Sequence, residues 1–202
     1  MAVKFVHLSV QTEYSLQAGM LRIKPLMAAC AARGMPAIAL TDLNNLFAVV
    51  KFVRAARALG IKPIIGATLR LKDVDSNLDF PFTLLCQTDI GYRHLIAIIS
   101  KASLTGQHQG VPQVERAHLL SHADGLIALS GAIHGEIGQH LLAEQAGKLK
   151  QALDFWTETF ANRFYLEVQR LGGNEETRYL NGVVELAQKT NLPLLATNSV
   201  CF

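Results

Sequence analysis

Seven short apolar runs recur along the chain with helix-like segments between them, and this alternation constrains the fold more than any single motif. The runs are residues 5–10 (FVHLSV), 37–41 (AIALT), 62–71 (KPIIGATLRL), 80–86 (FPFTLLC), 125–131 (GLIALSG), 163–169 (RFYLEVQ) and 192–198 (LPLLATN). Strands separated by helices must be joined by crossovers, so the pattern predicts an α/β architecture with a parallel sheet. Residues 37–40 and 126–129 are wholly apolar, as in strands covered on both faces. The predicted closure is a barrel of about seven parallel strands with helices outside.

The helix boundaries carry their own signals. A helix from about Ile23 should stop at Gly34, and Gly60 should end another over residues 50–59. Asn174 is placed to cap a helix whose first turn holds Glu175 and Glu176, and Pro193 prevents that helix from running into the next strand. Residues 71–79 read as a polar hairpin connection and residues 104–113 as an irregular surface loop.

Composition excludes several classes. Half of the 202 residues are hydrophobic and 17% are charged, which suits one domain with a full core. No apolar run is long enough for a membrane span, and no signal peptide is recognisable at the N-terminus, so a cytoplasmic protein without membrane contact is expected. Cys30, Cys86 and Cys201 are odd in number and widely spaced, which suits reduced thiols. The net charge of +3 comes from dispersed Lys and Arg with no basic run, so direct DNA binding is expected to be weak or absent. The chain stops on an apolar pair directly after a strand-like run, and is read as a fragment of a longer protein.

In the first run Val6, Leu8 and Val10 alternate with His7, Ser9 and Gln11, giving one apolar and one polar face. Inward polar residues at the C-terminal ends of barrel strands form active sites, which singles out Ser9 and Gln11. Residues 5–19 (FVHLSVQTEYSLQAG), together with GMPAIALTDLNNLFAVVKF, GIKPIIGA, DIGYRHL, GLIALSGAIHGEIG, RFYLEVQR and LPLLATNSVCF, resemble the PHP (polymerase and histidinol phosphatase) family. The form they are similar to is that found at the N-terminus of bacterial replicative DNA polymerase III alpha subunits. The resemblance spans almost the whole chain and implies a PHP-type (β/α)7 distorted TIM-like barrel.

Metal-binding members of that family place histidines and carboxylates around a cluster of divalent ions that activates water for phosphoester hydrolysis. At the matching positions this chain carries Ser9 and Gln11 for a pair of histidines, Ala18 for an aspartate, Leu43 for a histidine and Thr68 for a glutamate. Pro81 falls near a histidine position, Ala132 replaces a cysteine or histidine, and Ser199 with Cys201 replaces an Asp and His pair. The resemblance thus implies a vestigial site with no bound metal, no catalytic residue and no cofactor. Of the remaining polar residues, His7 is read as a hydrogen-bonded core residue and Asp42, beside Asn44 and Asn45, as a helix N-cap. His134 and Glu136 are read as a solvated helix start, and not as an acid and base pair. Glu167 should point inward and would need an arginine or hydroxyl partner to stay charged.

The expected function is therefore a non-catalytic scaffold domain. Its implied partners are the proofreading exonuclease subunit and the remaining polymerase domains of the same chain, and polymerisation itself would reside outside these residues. The enzymatic rival is a metal-dependent phosphoesterase, exonuclease or pyrophosphatase, with an atypical site. A nucleic-acid-binding module would need a basic, aromatic-bearing face, and only 7% of residues are aromatic. No glycine-rich phosphate loop and no GxSxG motif is present.

Overall fold

The computed structural model describes residues 5–16, 18–73 and 78–200. Its elements run, in order, α1 (Ile23–Ala32), β1 (Ala37–Leu40), α2 (Val49–Ala58), β2 (Lys62–Lys72), β3 (Asp79–Cys86), α3 (Asp89–Thr105), β4 (Gln107–His108), β5 (Val111–Pro112), α4 (Arg116–His122), β6 (Leu126–Leu129), a 3-10 turn (Ala132–His134), α5 (Glu136–Leu142), α6 (Ala146–Thr159), β7 (Phe164–Val168), α7 (Glu176–Thr190) and β8 (Leu194–Ala196). The α/β class and six of the seven expected strand regions are present.

Six strands form one sheet in the order β1-β2-β3-β6-β7-β8. The expected parallel arrangement fails at β3, which runs antiparallel to both β2 and β6. The cause is the short polar connection after β2: too few residues intervene for a crossover helix, so the chain can only double back. The seventh run, at residues 5–10, is not a regular strand, yet it closes the ring. On one side Ala39 and Thr41 donate their N–H groups to the carbonyls of His7 and Val10; on the other, Gln11 N–H donates to Val200 O and Val200 N–H to Ser9 O. Val10 and Val200 pair as a parallel bridge. The expected one-sided apolar face of this run does not persist, because Leu8 packs into the barrel interior while Val10 lies in the outer core beneath α1 and α2.

The core has three parts. Ala39, Leu85 and Leu129, with Leu8, Ile64, Tyr165 and Leu195 against them, come from strands all round the ring and fill its centre. Ile38, Leu40, Ile23, Met27, Phe52 and Ala56 join β1 to α1 and α2. The largest part lies outside β2, β3, β6 and β7, where Trp156 on α6 stacks nearly parallel to Phe164 on β7, centroids 5.5 Å apart.

Both predicted glycine stops are found: Gly34 and Gly60 follow α1 and α2 at φ of 63° and 69°. Asn174 does not cap α7. The Glu176 carboxylate instead reaches back to the N–H groups of Leu171 and Gly172, which satisfies donors ahead of the helix and lowers its pKa through those two bonds. The loop expected at residues 104–113 contains the small antiparallel ladder β4-β5.

Candidate functional site at the barrel mouth

Period-two alternation places the polar ends of the strands. Ala39 faces the ring interior, so Thr41 two residues on shares that face; likewise Ile64 implies Thr68, Leu85 implies Thr83, Tyr165 implies Glu167 and Leu195 implies Thr197. Because β3 is antiparallel, its early residue Thr83 lies beside the late residue Thr68, and the two hydroxyls are 3.2 Å apart. The interior is therefore apolar at one end and hydroxyl-rich at the other. Thr41, Thr83, Glu167 and Thr197 are all buried there.

Each of these groups is engaged with protein. Thr41 Oγ1 donates to Val10 O at 3.1 Å and accepts from Val10 N–H at 2.8 Å, while Thr68 Oγ1 donates to Thr41 O. The Glu167 carboxylate accepts from Thr197 Oγ1 at 2.5 Å, from the Gly131 N–H at 3.1 Å and from the Gln169 amide at 3.2 Å. A hydroxyl, one of the two expected partner types, thus meets it. Burial still dominates and raises the Glu167 pKa, with those three bonds opposing. The Tyr179 hydroxyl donates to the Glu167 backbone carbonyl at 2.6 Å and fixes the strand from the α7 side; burial, then the Glu167 charge, raises its pKa.

Asp42 is not the helix cap expected of it, since α2 starts at Val49 after Ala48 and has no side-chain cap. Its fully buried carboxylate accepts from Thr12 N–H at 2.6 Å, from Thr12 Oγ1 at 2.9 Å and from Ser15 Oγ at 2.7 Å. Ser15 Oγ in turn accepts from Leu43 N–H. Asp42 therefore pins the 12–15 loop over the end of β1.

The positions identified by resemblance fall in three places. Ser9, Gln11 and Ser199 lie where the first and last segments of the ring meet, and Leu43 bridges Thr68 next to them. Pro81 and Ala132 meet across Gly131, where a Cβ would collide with the Pro81 carbonyl. Ala18 is exposed on the loop after Ser15. Cys201 lies outside the described residues.

Two further expectations are corrected. His7 is half-buried and its ring sits edge-on to Phe5 with Nδ1 unbonded, so it is not a hydrogen-bonded core histidine. Burial, then the nearby Arg33 charge, lowers its pKa; Arg33 follows the last turn of α1, away from the mouth. Glu136 begins α5 but is not solvated: it is buried, ion-paired to Arg116 and bonded to the Trp156 indole, while His134 is exposed.

Sequence reasoning missed Thr41, Thr83 and Thr197. Each lies two residues along a strand from an inner apolar residue, a signal available once that residue is known to face inward. A divalent-ion cluster needs several imidazole, carboxylate or thiolate donors together. Among the described residues no three His, Cys, Asp or Glu side chains converge in that way, and both carboxylates near the mouth are already bonded to protein donors. These residues do not fit the ion cluster implied by metal-binding PHP proteins.

Residues 7–171 match the PHP domain. The chain is 44% identical over its whole length to DNA polymerase III subunit alpha of Pseudomonas aeruginosa and 40% identical over 98% of its length to that of Vibrio cholerae; it spans 17% of the length of each. Its fold is similar to a Bifidobacterium adolescentis protein assigned as a metal-dependent phosphoesterase, with TM-score 0.62 and 12% identity over 96% of this chain and 86% of that one. It is also similar to an amidohydrolase from Chromobacterium violaceum, with TM-score 0.61 and 13% identity over 97% and 87%. With the family match running over residues 7–171, from the first segment of the ring through β7, and alpha-subunit relatives matching 98% or more of its length, the chain belongs to the PHP domain family.

Proposed function

We propose that this chain is a non-catalytic PHP domain of a cytoplasmic replicative DNA polymerase III alpha subunit, a rigid scaffold with a degenerate metal site that docks the proofreading exonuclease. The observation carrying this reading is the mouth itself: hydroxyls and two internally bonded carboxylates occupy the place where metal-dependent relatives would need a set of charged donors. The identity to alpha subunits supports the polymerase context. The likeness to a phosphoesterase fold supports the rival enzymatic reading only as far as the fold, because function belongs to the site and not to the barrel.

Two measurements test the proposal. Elemental analysis of the purified protein should find no stoichiometric Zn, Mn or Mg, and phosphoesterase assays should give no chelator-sensitive rate; a tightly held ion with such a rate would establish the enzymatic reading. Introducing Ser9→His with Gln11→His should restore neither, since the other positions still lack donors. Exonuclease binding to the full-length polymerase should be lost when this domain is removed while polymerisation chemistry is retained. Unchanged binding would refute the docking role.

A further inference from the structure

We propose that the outer face of α1 and α2 is a docking site for an acidic, amphipathic helical segment of a partner protein. The proposal does not depend on the state of the barrel mouth or on the exonuclease reading. Residues 20–62 contain seven of the chain's nineteen Lys and Arg but only one of its sixteen Asp and Glu, and that one, Asp42, is buried. This stretch therefore carries a surplus of six positive charges, while the rest of the chain is net negative by three. In sequence the basic residues are dispersed. Folding leaves Arg22 and Lys24 exposed at the start of α1 and Arg54 and Arg57 exposed on the neighbouring α2, while Lys62 is exposed at the start of β2, beside the apolar end of the barrel. None of these five enters an ion pair among the described residues, whereas Lys51 is held by Glu13.

Charge alone would suit nucleic acid or protein, and the apolar residues favour protein. On α2, Val49, Phe52 and Ala56 face the core, which leaves Val50, Arg54 and Arg57 as an outward stripe at the three- and four-residue steps of one helix face, with Phe47 in the turn just ahead of the helix. Phe47 is 77% and Val50 65% exposed. Met20 and Leu16, 75% and 81% exposed, lie on the loop that Asn45 binds through the Tyr14 carbonyl at 3.0 Å and that Glu13 ties to Lys51. An apolar patch continuous with a cationic stripe fits a helix whose Leu-type anchors meet Phe47 and Val50 and whose carboxylates meet Arg54 and Arg57. A phosphate backbone would use the stripe and leave the aliphatic patch in water.

The test is fluorescence anisotropy with the 202-residue chain and four labelled probes: a helical peptide with Leu on one face and Glu on the other, its Lys-for-Glu and Ser-for-Leu counterparts, and an oligo-dT of similar length. The Leu/Glu peptide should bind best. Arg54→Glu with Arg57→Glu should weaken it about tenfold or more, and Phe47→Ser with Val50→Ser by several-fold. Lys101→Glu, on α3, should leave binding unchanged, and thermal midpoints should show that every variant is folded. Tighter binding of oligo-dT that is abolished by the arginine reversals would assign the face to nucleic acid. Peptide binding indifferent to both pairs, or no peptide binding, would overturn the proposal.

Discussion

The indole N–H of Trp156 donates to the carboxylate of Glu136 at 2.9 Å, joining two residues twenty positions apart in the outer core. The other carboxylate oxygen is ion-paired to Arg116, whose guanidinium lies over the Phe155 ring at 4.2 Å. A buried charge held by two donors becomes costly when either is removed. Trp156→Phe should lower stability by about 2 kcal/mol, and Arg116→Met by a comparable amount, since both leave Glu136 under-bonded. In urea denaturation a double-mutant cycle should show the two changes to be non-additive; simple additivity would mean that Glu136 does not couple them.

Glu167 should make stability depend on pH in the direction opposite to an ion-paired carboxylate. Burial raises its pKa in the folded protein. Folding therefore favours the protonated form: the advantage is full below the unfolded value and is lost as pH rises through the folded value. Glu167→Gln removes this titration while keeping one acceptor oxygen, which can serve either Thr197 or Gly131 but not both. Relative to the parent, the variant should gain stability as pH rises from 4 to 8. Denaturation midpoints across that range check it, and a gain on lowering pH would contradict the assignment.

Asp42→Ala should be among the most destabilising substitutions near the mouth, costing about 3 kcal/mol or more, because it orphans the N–H of Thr12 and two hydroxyls in a buried setting. Asp42→Asn, which keeps one acceptor oxygen, should cost less. Hydrogen exchange supplies the local readout: Thr12 and Leu43 amides should lose protection before those of β3 in either variant.

The thiols should be inert while the protein is folded. Burial pushes Cys86 up to about 12 and also raises Cys30, so neither supplies much thiolate at neutral pH. In a Cys201→Ser background, labelling with a thiol-reactive dye at pH 7.5 should be slow and should accelerate on adding denaturant. Rapid labelling of the native protein would show that one of these sites opens.

The strand runs and the glycine stops were legible because they are local: apolar alternation and a left-handed φ are properties of a few adjacent residues. The roles of Asp42 and Glu136 were not. Asp42 looks like a cap beside Asn44 and Asn45, yet its donors come from about thirty residues away. Glu136 looks like an exposed first-turn acid until Trp156 and Arg116 are brought over it by α6 and α4. The antiparallel β3 lay between these cases, since the hairpin-like connection was visible but its effect on sheet direction was set against the alternation elsewhere. The basic face also escaped notice, because sequence adjacency says little about charges gathered from two helices.

The ring closes through Val10 and Val200, and this has a consequence for how the protein is born. During synthesis the first segment emerges from the ribosome and must wait for almost two hundred further residues before its second neighbour exists. Until then β1 can shield only one of its edges, and the other remains available to any extended chain nearby. The barrel should therefore acquire its final protection in a late, cooperative step after translation has passed residue 200, with the α1-β1-α2 side already assembled and waiting as a docking platform for the returning strand.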